Sequence, residues 1–349
     1  MSAVKLLRGV LFVASIGLAL HLILPQIPGI ERSARLLTDA SHVLVAAALA
    51  AEILSELCYA RLLQSFVSGL RRAGVRRSPN LWFFLRLTVT GYGAAHVLPG
   101  GGATASAIDY RTLRSRGYDA ASVARTLATV AAFVYAALGL LFAGGLVYLL
   151  ANHDLSVPGA VGAVVLLTLP LLLVVATYVS GKRPGSLERH LGRMLYGVVR
   201  VFRRGYARPV MQVRARRLVE RLADEYRAIR VELQHDPRRA ARLFSLAFGF
   251  WAFDALCLIL VFQALGVRAG VVPLLVAYGV ATVAGSLPLT PGGIGVFETT
   301  MLATLALLGV GSEAAIPILG YRLFNFWLPI PLAALFYPTL HMKGPVASA

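Results

Sequence analysis

Six stretches of the chain are apolar at nearly every position: Leu6–Leu24, Leu36–Leu63, Val123–Leu150, Val157–Val179, Leu243–Leu265 and Ala314–Phe336. Each is near or above the roughly 20 residues that an α-helix needs to cross the hydrocarbon of a bilayer. The pattern predicts six spanning helices. Two further apolar stretches, Leu81–Ile108 and Val271–Val310, are interrupted by prolines and glycines. The first contains HVLPGGGATASAIDYR (His96–Arg111) and the second SLPLTPGGIGVFE (Ser286–Glu298). Proline removes a backbone donor and glycine permits a turn, so neither stretch is expected to run as one helix. The expected fold class is an all-α polytopic membrane protein, with about six full spans plus two Pro/Gly-broken re-entrant hairpins.

Composition strengthens this reading. Of 349 residues, 58% are hydrophobic and 14% charged, and soluble domains carry nearly twice that charged fraction. Mean hydropathy is +0.72. A net charge of +18 would suggest nucleic acid in a soluble protein, but here basic residues crowd into loops retained on the cytoplasmic side. No nucleic-acid partner is expected. The basic residues are nearly all Arg, Lys being confined to positions 5, 182 and 343, and Ala and Gly are abundant. That bias suggests a GC-rich bacterial genome, and hence a multi-pass protein of the inner (plasma) membrane. Cys58 and Cys257 lie in apolar runs and make no disulfide scaffold or zinc spacing. The N-terminal segment has a basic start and an apolar core but no small-x-small cleavage site before Pro25, so it reads as a retained first span.

Loop charge gives the expected topology. Lys5 and Arg8 place the N-terminus inside, as do Arg61, Arg71, Arg72, Arg76 and Arg77 for the end of the second span. Arg111, Arg114, Arg116 and Arg125 follow the first broken stretch, which is therefore predicted to enter and leave on the inner side. Residues Gly181–Arg242 hold 17 Lys/Arg against 6 Asp/Glu and form the main cytoplasmic connection. The loops GVRAG and GVGSEAA flank the second broken stretch and are nearly free of positive charge, which predicts an outside-to-outside hairpin. His341 and Lys343 return the C-terminus inside. A single transmembrane domain, 1–349, is expected in two inverted halves, 36–150 and 243–337, with basic amphipathic helices in 181–242 between them. Leu187, Leu191, Leu195 and Val198 recur at helical spacing among arginines there, a pattern suited to an anionic lipid surface.

Irregular backbone at membrane depth is tolerated where it is buried in protein or lines a wet cavity. Pro/Gly-broken segments at matching places in two halves point to a transporter's binding site. The candidate site therefore centres on Pro291, Gly292, Gly293 and Gly295, with Pro99 and Gly100 at the first break. A helix beginning near Gly295 would aim free N–H groups at the break and attract a phosphate. Glu298, in its first turn, has several open roles: pairing a cationic headgroup, carrying a coupling proton, bonding Arg322, or only capping the hairpin. Arg322 and Arg86 are candidate phosphate ligands through bidentate contacts. Asp254 lies mid-span. Glu52 and Glu56, four apart on one helix face, line a cavity, hold a proton, or pair with Arg86 or Arg61 for assembly, and the sequence leaves these roles open. Asp109 and Arg111 either serve the site or anchor the inner interface. His96 either titrates beside the first break or is structural.

The segment PLTPGGIGVFE resembles the lysylphosphatidylglycerol-synthase transmembrane family, the flippase-like region of the multiple peptide resistance factor and its freestanding relatives. Pro291, Gly292, Gly293, Ile294, Gly295 and Glu298 carry the likeness. Tyr321 and Arg322 in YRLFNFWLPIPL and the Pro99–Gly102 break add to it. After the first break the family shows a Gly-Glu pair and an Arg, where this chain has TASAIDYR with Asp109 and Arg111. The resemblance implies translocation of a phosphate-bearing lipid, aminoacylated or isoprenoid-linked, with a membrane lipid of anionic or zwitterionic headgroup as partner. The fused aminoacyl-transferase domain is expected to be absent, since the chain stops at Ala349, and the protein is expected not to be an enzyme. No Walker-type loop, H-E-x-x-H or G-x-S-x-G is present in the sequence, so no cofactor or metal is expected. An alternative is a membrane subunit that binds or presents lipid to a separate synthase or glycosyltransferase. Nothing in the sequence bears on oligomeric state.

Overall fold

The structure is a computed structural model that describes residues 40–70, 79–98, 101–152, 236–286 and 290–341. The expected spans Leu6–Leu24 and Val157–Val179, the amphipathic segment 181–235, and Pro99, Gly100 and Pro288 lie outside these residues. All the described elements are helical. In chain order they are α1 (His42–Val67), α2 (Leu81–Val97), α3 (Gly102–Ser115), α4 (Ala120–Asn152), α5 (Pro237–Ala264), α6 (Val271–Ser286), α7 (Val296–Leu307), α8 (Ala315–Arg322) and α9 (Pro329–His341). Short 3-10 turns, Pro291–Gly293 and Ser312–Ala314, precede α7 and α8, and a π-helical turn, Leu323–Trp327, joins α8 to α9.

Among the described residues four helical segments are long and apolar enough to cross a membrane: His42–Val67, Ala120–Phe142, Pro237–Ala264 and Ser312–Leu340. They correspond to four of the six predicted runs. The chain is thus an α-helical membrane protein. α2, with 17 residues, and α6, with 16, fall short of a full span, and each is followed by a break and a returning helix, α3 or α7.

Local chemistry sets several of these ends. The Asn80 side chain accepts from the Phe83 N–H at 3.1 Å and opens α2. Asp236 does the same for Arg239 at 2.9 Å, with Pro237 at the first helical position of α5, where its missing N–H costs no bond. α5 packs along α1, and α9 along α2. Ser55 Oγ donates to the Phe250 carbonyl at 2.7 Å across the first contact. Trp251 Nε1 donates to the Val134 carbonyl at 2.7 Å, tying α5 to α4.

Bonds between ends define two poles. At one, Gln64 Nε2 donates to the Pro79 carbonyl at 3.2 Å and Arg116 Nη2 to the Leu340 carbonyl at 3.3 Å. That pole gathers the end of α1, the start of α2, the end of α3 and the end of α9. At the other, the Ser41 N–H donates to the Ala264 carbonyl at 2.9 Å, joining the start of α1 to the end of α5. The pair α2–α3 opens toward the first pole, and α6 starts seven residues after the end of the helix that ends at the second. The two broken segments therefore begin near opposite poles of the helix bundle.

The α2–α9 contact is close because Gly93 has no side chain. A Cβ there would run into the Pro329 carbonyl and come within 2.7 Å of Ala333 Cβ. Gly93→Ala is expected to push α9 outward at a cost of about 1–3 kcal/mol, the range for overpacking. A fall in the thermal midpoint of the detergent-solubilised protein checks this; a wild-type midpoint would mean that the helices are not so close.

Candidate functional site

The second break is built from main chain. Thr290 is extended, and the Gly293 N–H donates back to its carbonyl at 3.2 Å, while the Thr290 hydroxyl donates to the Ile294 carbonyl at 2.9 Å. Gly292 and Gly293 hold φ angles of +59° and +69°, in the left-handed region that side chains disfavour. Both are also crowded. A Cβ on Gly292 would lie 2.7 Å from the His96 carbonyl oxygen and 2.8 Å from its Cα, and one on Gly293 would lie 2.6 Å from the Gly285 carbonyl oxygen. The tip of the second hairpin thus rests on the main chain of His96, at the end of α2 beside the first break.

α7 begins at Gly295, and Glu298 in its first turn accepts from the Gly295 N–H through Oε2 at 2.7 Å. Its other oxygen, Oε1, accepts from Arg322 Nε at 2.5 Å. Of the roles open to Glu298, the structure selects the cap and the bond to Arg322 together. Both oxygens are engaged, so the carboxylate is not left free for a cationic headgroup. Arg322 is 5% exposed and Glu298 6%. The guanidinium carbon lies 4.1 Å from the ring centre of Phe326 and 4.9 Å from that of Phe297, so aromatic faces cover the charge. Arg322 Nη2 reaches the Gly292 carbonyl at 3.4 Å. A guanidinium carries five N–H groups, which leaves three without a partner among the described residues.

Those groups belong to a residue that lines a cavity of about 210 Å³. Its wall draws on both breaks, with His96, Gly101 and Gly102 from the first hairpin and Thr290, Gly292 and Gly293 from the second. Asp254 of α5 and Asn325 of the π turn complete its polar side. Asp254 accepts from Tyr278 at 2.6 Å, Tyr321 at 2.8 Å and Asn325 Nδ2 at 3.0 Å. Three neutral donors thus hold a buried carboxyl that touches no cation among the described residues.

The structure brings Pro291, Gly292, Gly293, Gly295, Glu298, Arg322 and Asp254 together here. Glu52 joins through Asn325 Nδ2 at 3.5 Å. Glu56 and Asp109 line a second cavity beside the first. Arg86 and Arg111 reach neither. Arg86 lies one turn into α2, where Nη1 donates to Thr339 Oγ1 at 2.9 Å and the guanidinium covers Trp82, while Arg111 is exposed on α3. The expected pairing of Glu52 and Glu56 with Arg86 or Arg61 does not form, because Arg61 turns to Gln64 at 2.7 Å, Glu52 meets Asn325 of the π turn and Glu56 lines the second cavity. Asp109 is buried rather than interfacial. His96 stacks on Phe326 with centroids 4.3 Å apart and has its main chain against Gly292.

Sequence reasoning passed over Asn325, Tyr92 and Tyr278. Asn325 had a signal, as an amide inside the apolar run LFNFW three residues after Arg322. The π turn around it had none. Among the described residues no cluster of three or more His, Cys, Asp or Glu is arranged to hold a metal ion.

Comparison with known proteins accords with this architecture. Three matches to UPF0104 membrane proteins of the archaeon Methanothermobacter thermautotrophicus have 34%, 33% and 25% identity. They extend over 20%, 27% and 48% of this chain, and 20%, 28% and 47% of the relatives, so the chain spans about half the length of the curated relatives at most. The family profile described as the Lysylphosphatidylglycerol synthase TM region matches residues 8–333, which takes in both broken hairpins and the Arg322 segment. The chain belongs to that family.

Proposed function

We propose that the protein moves a phosphate-bearing lipid headgroup between bilayer leaflets, as a flippase or scramblase. The observation that carries this is the meeting of two oppositely entering broken hairpins around one cavity that a buried guanidinium lines. A charge at membrane depth is costly, and where it occurs it marks a substrate path. Arg322 is fixed at Nε by Glu298 and offers its remaining N–H groups as a fork for phosphate oxygens. The Arg-rich first pole supports an N-in/C-in orientation with six spans, and the opposed hairpins support an inverted repeat of 36–150 and 243–337. Arg-rich composition supports the inner membrane of a bacterium, although the relatives compared above are archaeal. The role is transport and not catalysis, with a membrane lipid as its partner.

Purified protein in liposomes is expected to accelerate leaflet exchange of a labelled anionic, zwitterionic or aminoacylated lipid. Exchange at the protein-free rate across all three classes, with folded protein, would overturn the reading. Stoichiometric lipid retention without exchange would favour presentation to a separate synthase or glycosyltransferase instead.

A further inference from the structure

The buried ionisable groups do not balance. Among the described residues Glu52, Glu56, Asp109, Asp254 and Glu298 are buried carboxyls, and Arg322 and His96 are the buried basic side chains. Glu298 takes Arg322. The other four have no cationic partner within salt-bridge distance among the described residues, and unneutralised carboxylates at this depth are expensive.

Two of the four line the same cavity. A cavity of about 410 Å³ is lined by Glu56 of α1 and Asp109 of α3, with Thr88 and Tyr92 of α2, Tyr59 of α1 and Tyr135 of α4. Among the described residues no Lys, Arg or His contributes to its wall. Glu56 is 7% exposed and Asp109 3%. Glu56 Oε2, Asp109 Oδ1 and Thr88 Oγ1 each lack a hydrogen-bond partner among the described residues. Buried oxygens of this kind are normally satisfied by a protein partner, an ordered water or a proton of their own.

We propose that Glu56 and Asp109 are the proton-carrying pair of this protein, and that lipid movement past Arg322 is driven by protons loaded and released there. The coupling half of this proposal rests on the transport reading above. A proton from water on one side forms an O–H bond on a carboxylate oxygen of the pair and leaves from it to water on the other side. The acidic and phenolic groups around Glu56 are Glu52 and Tyr59 on its own helix, Asp254 from α5 and Tyr92 from α2, and Asp109 from α3 and Tyr135 from α4 line the same cavity. Among the described residues none of these is a cation, so the neutralisation we propose comes from protons.

The link to the headgroup cavity is short. Tyr92 lines both cavities, and its hydroxyl accepts from Asn325 Nδ2 at 3.2 Å. The same amide nitrogen serves Asp254 at 3.0 Å and Glu52 at 3.5 Å, so two hydrogens are divided among three acceptors. Placing or removing a proton at Glu52 or Asp254 redirects Asn325, one turn from Arg322.

The test uses the full chain in liposomes, with Glu56→Gln and Asp109→Asn, and has two readouts. Infrared difference spectra between alkaline and acid medium are expected to show the carbonyl band of protonated carboxyls, with part of its amplitude lost in each variant. Full wild-type amplitude in both variants overturns the pair as a proton site, whatever the transport result. In the second readout, an imposed pH gradient is expected to change labelled-lipid flux several-fold in the wild type, and the ratio with and without the gradient is expected to fall to one in both variants. Wild-type flux that ignores the gradient overturns coupling and leaves translocation standing. No flux at all overturns translocation and coupling together, while the infrared result still decides the pair. Flux driven by a sodium gradient at equal pH overturns the proton as the coupling ion.

Discussion

Arg322→Ala is expected to lower the stability of the protein by about 3–5 kcal/mol, the range for removing one partner of a buried ion pair. The alanine leaves Glu298 inside the membrane with its charge uncovered and takes the cation from between Phe297 and Phe326. Native proteins hold a margin of about 5–15 kcal/mol, so this is a large fraction of the whole. Glu298→Gln is expected to cost less than Arg322→Ala, because a glutamine oxygen still accepts from the Gly295 N–H. Combining Glu298→Gln with Arg322→Ala is expected to recover part of the loss, since the double variant buries no unpaired charge. Thermal midpoints of the three variants check this. Strictly additive losses would mean that the two side chains do not interact. Arg322→Lys separates folding from ligand recognition. It keeps the charge but not the planar fork, so the lipid exchange rate is expected to fall well below that of wild type while the midpoint falls less than in Arg322→Ala.

The second large effect is expected at the crossing of the two hairpins. Gly292→Ala places a Cβ against the main chain of His96, and Gly293→Ala places one against the main chain of Gly285. The left-handed φ alone costs a side chain about 1–3 kcal/mol. Gly266 provides the control, because its φ is +67° at the end of a helix but a Cβ there would meet nothing within 4 Å. Gly266→Ala is therefore expected to show the conformational cost by itself, and Gly292→Ala that cost plus a clash with atoms that cannot rotate away. The midpoint of Gly292→Ala should fall further than that of Gly266→Ala. Equal falls would show that the hairpins do not touch.

Much of this arrangement was legible in the residues. Uninterrupted apolar runs announced the long helices, since a helix surrounded by lipid or protein on all sides leaves no polar periodicity to obscure it. The Pro-Gly breaks were visible because proline and glycine act through the backbone of their own position. Glu298 as the first-turn acid of α7 followed from its place three residues after Gly295. What escaped depends on contacts distant in sequence. The sequence leaves Asp109 between the site and the inner interface, and the packing of α3 shows it buried at the wall of the second cavity. Arg86 read as a phosphate ligand because it is a charge in an apolar run, whereas the neighbouring helix supplies Thr339. The π turn escaped for another reason. It is a one-residue surplus in a helix, closed by the Leu328 N–H donating to the Leu323 carbonyl at 2.9 Å just before Pro329, which has no N–H to give.

The touch between Gly292 and His96 also bears on how fast such a protein can work. A channel closed by a side chain opens when one bond rotates, in picoseconds to nanoseconds. Here Gly292 meets the main chain of His96 at the end of α2, and no rotamer change can part those backbone atoms. Parting them requires a whole helical arm to tilt, a movement of microseconds to milliseconds. A contact of this kind therefore yields to the displacement of a helix and not to the turning of a side chain.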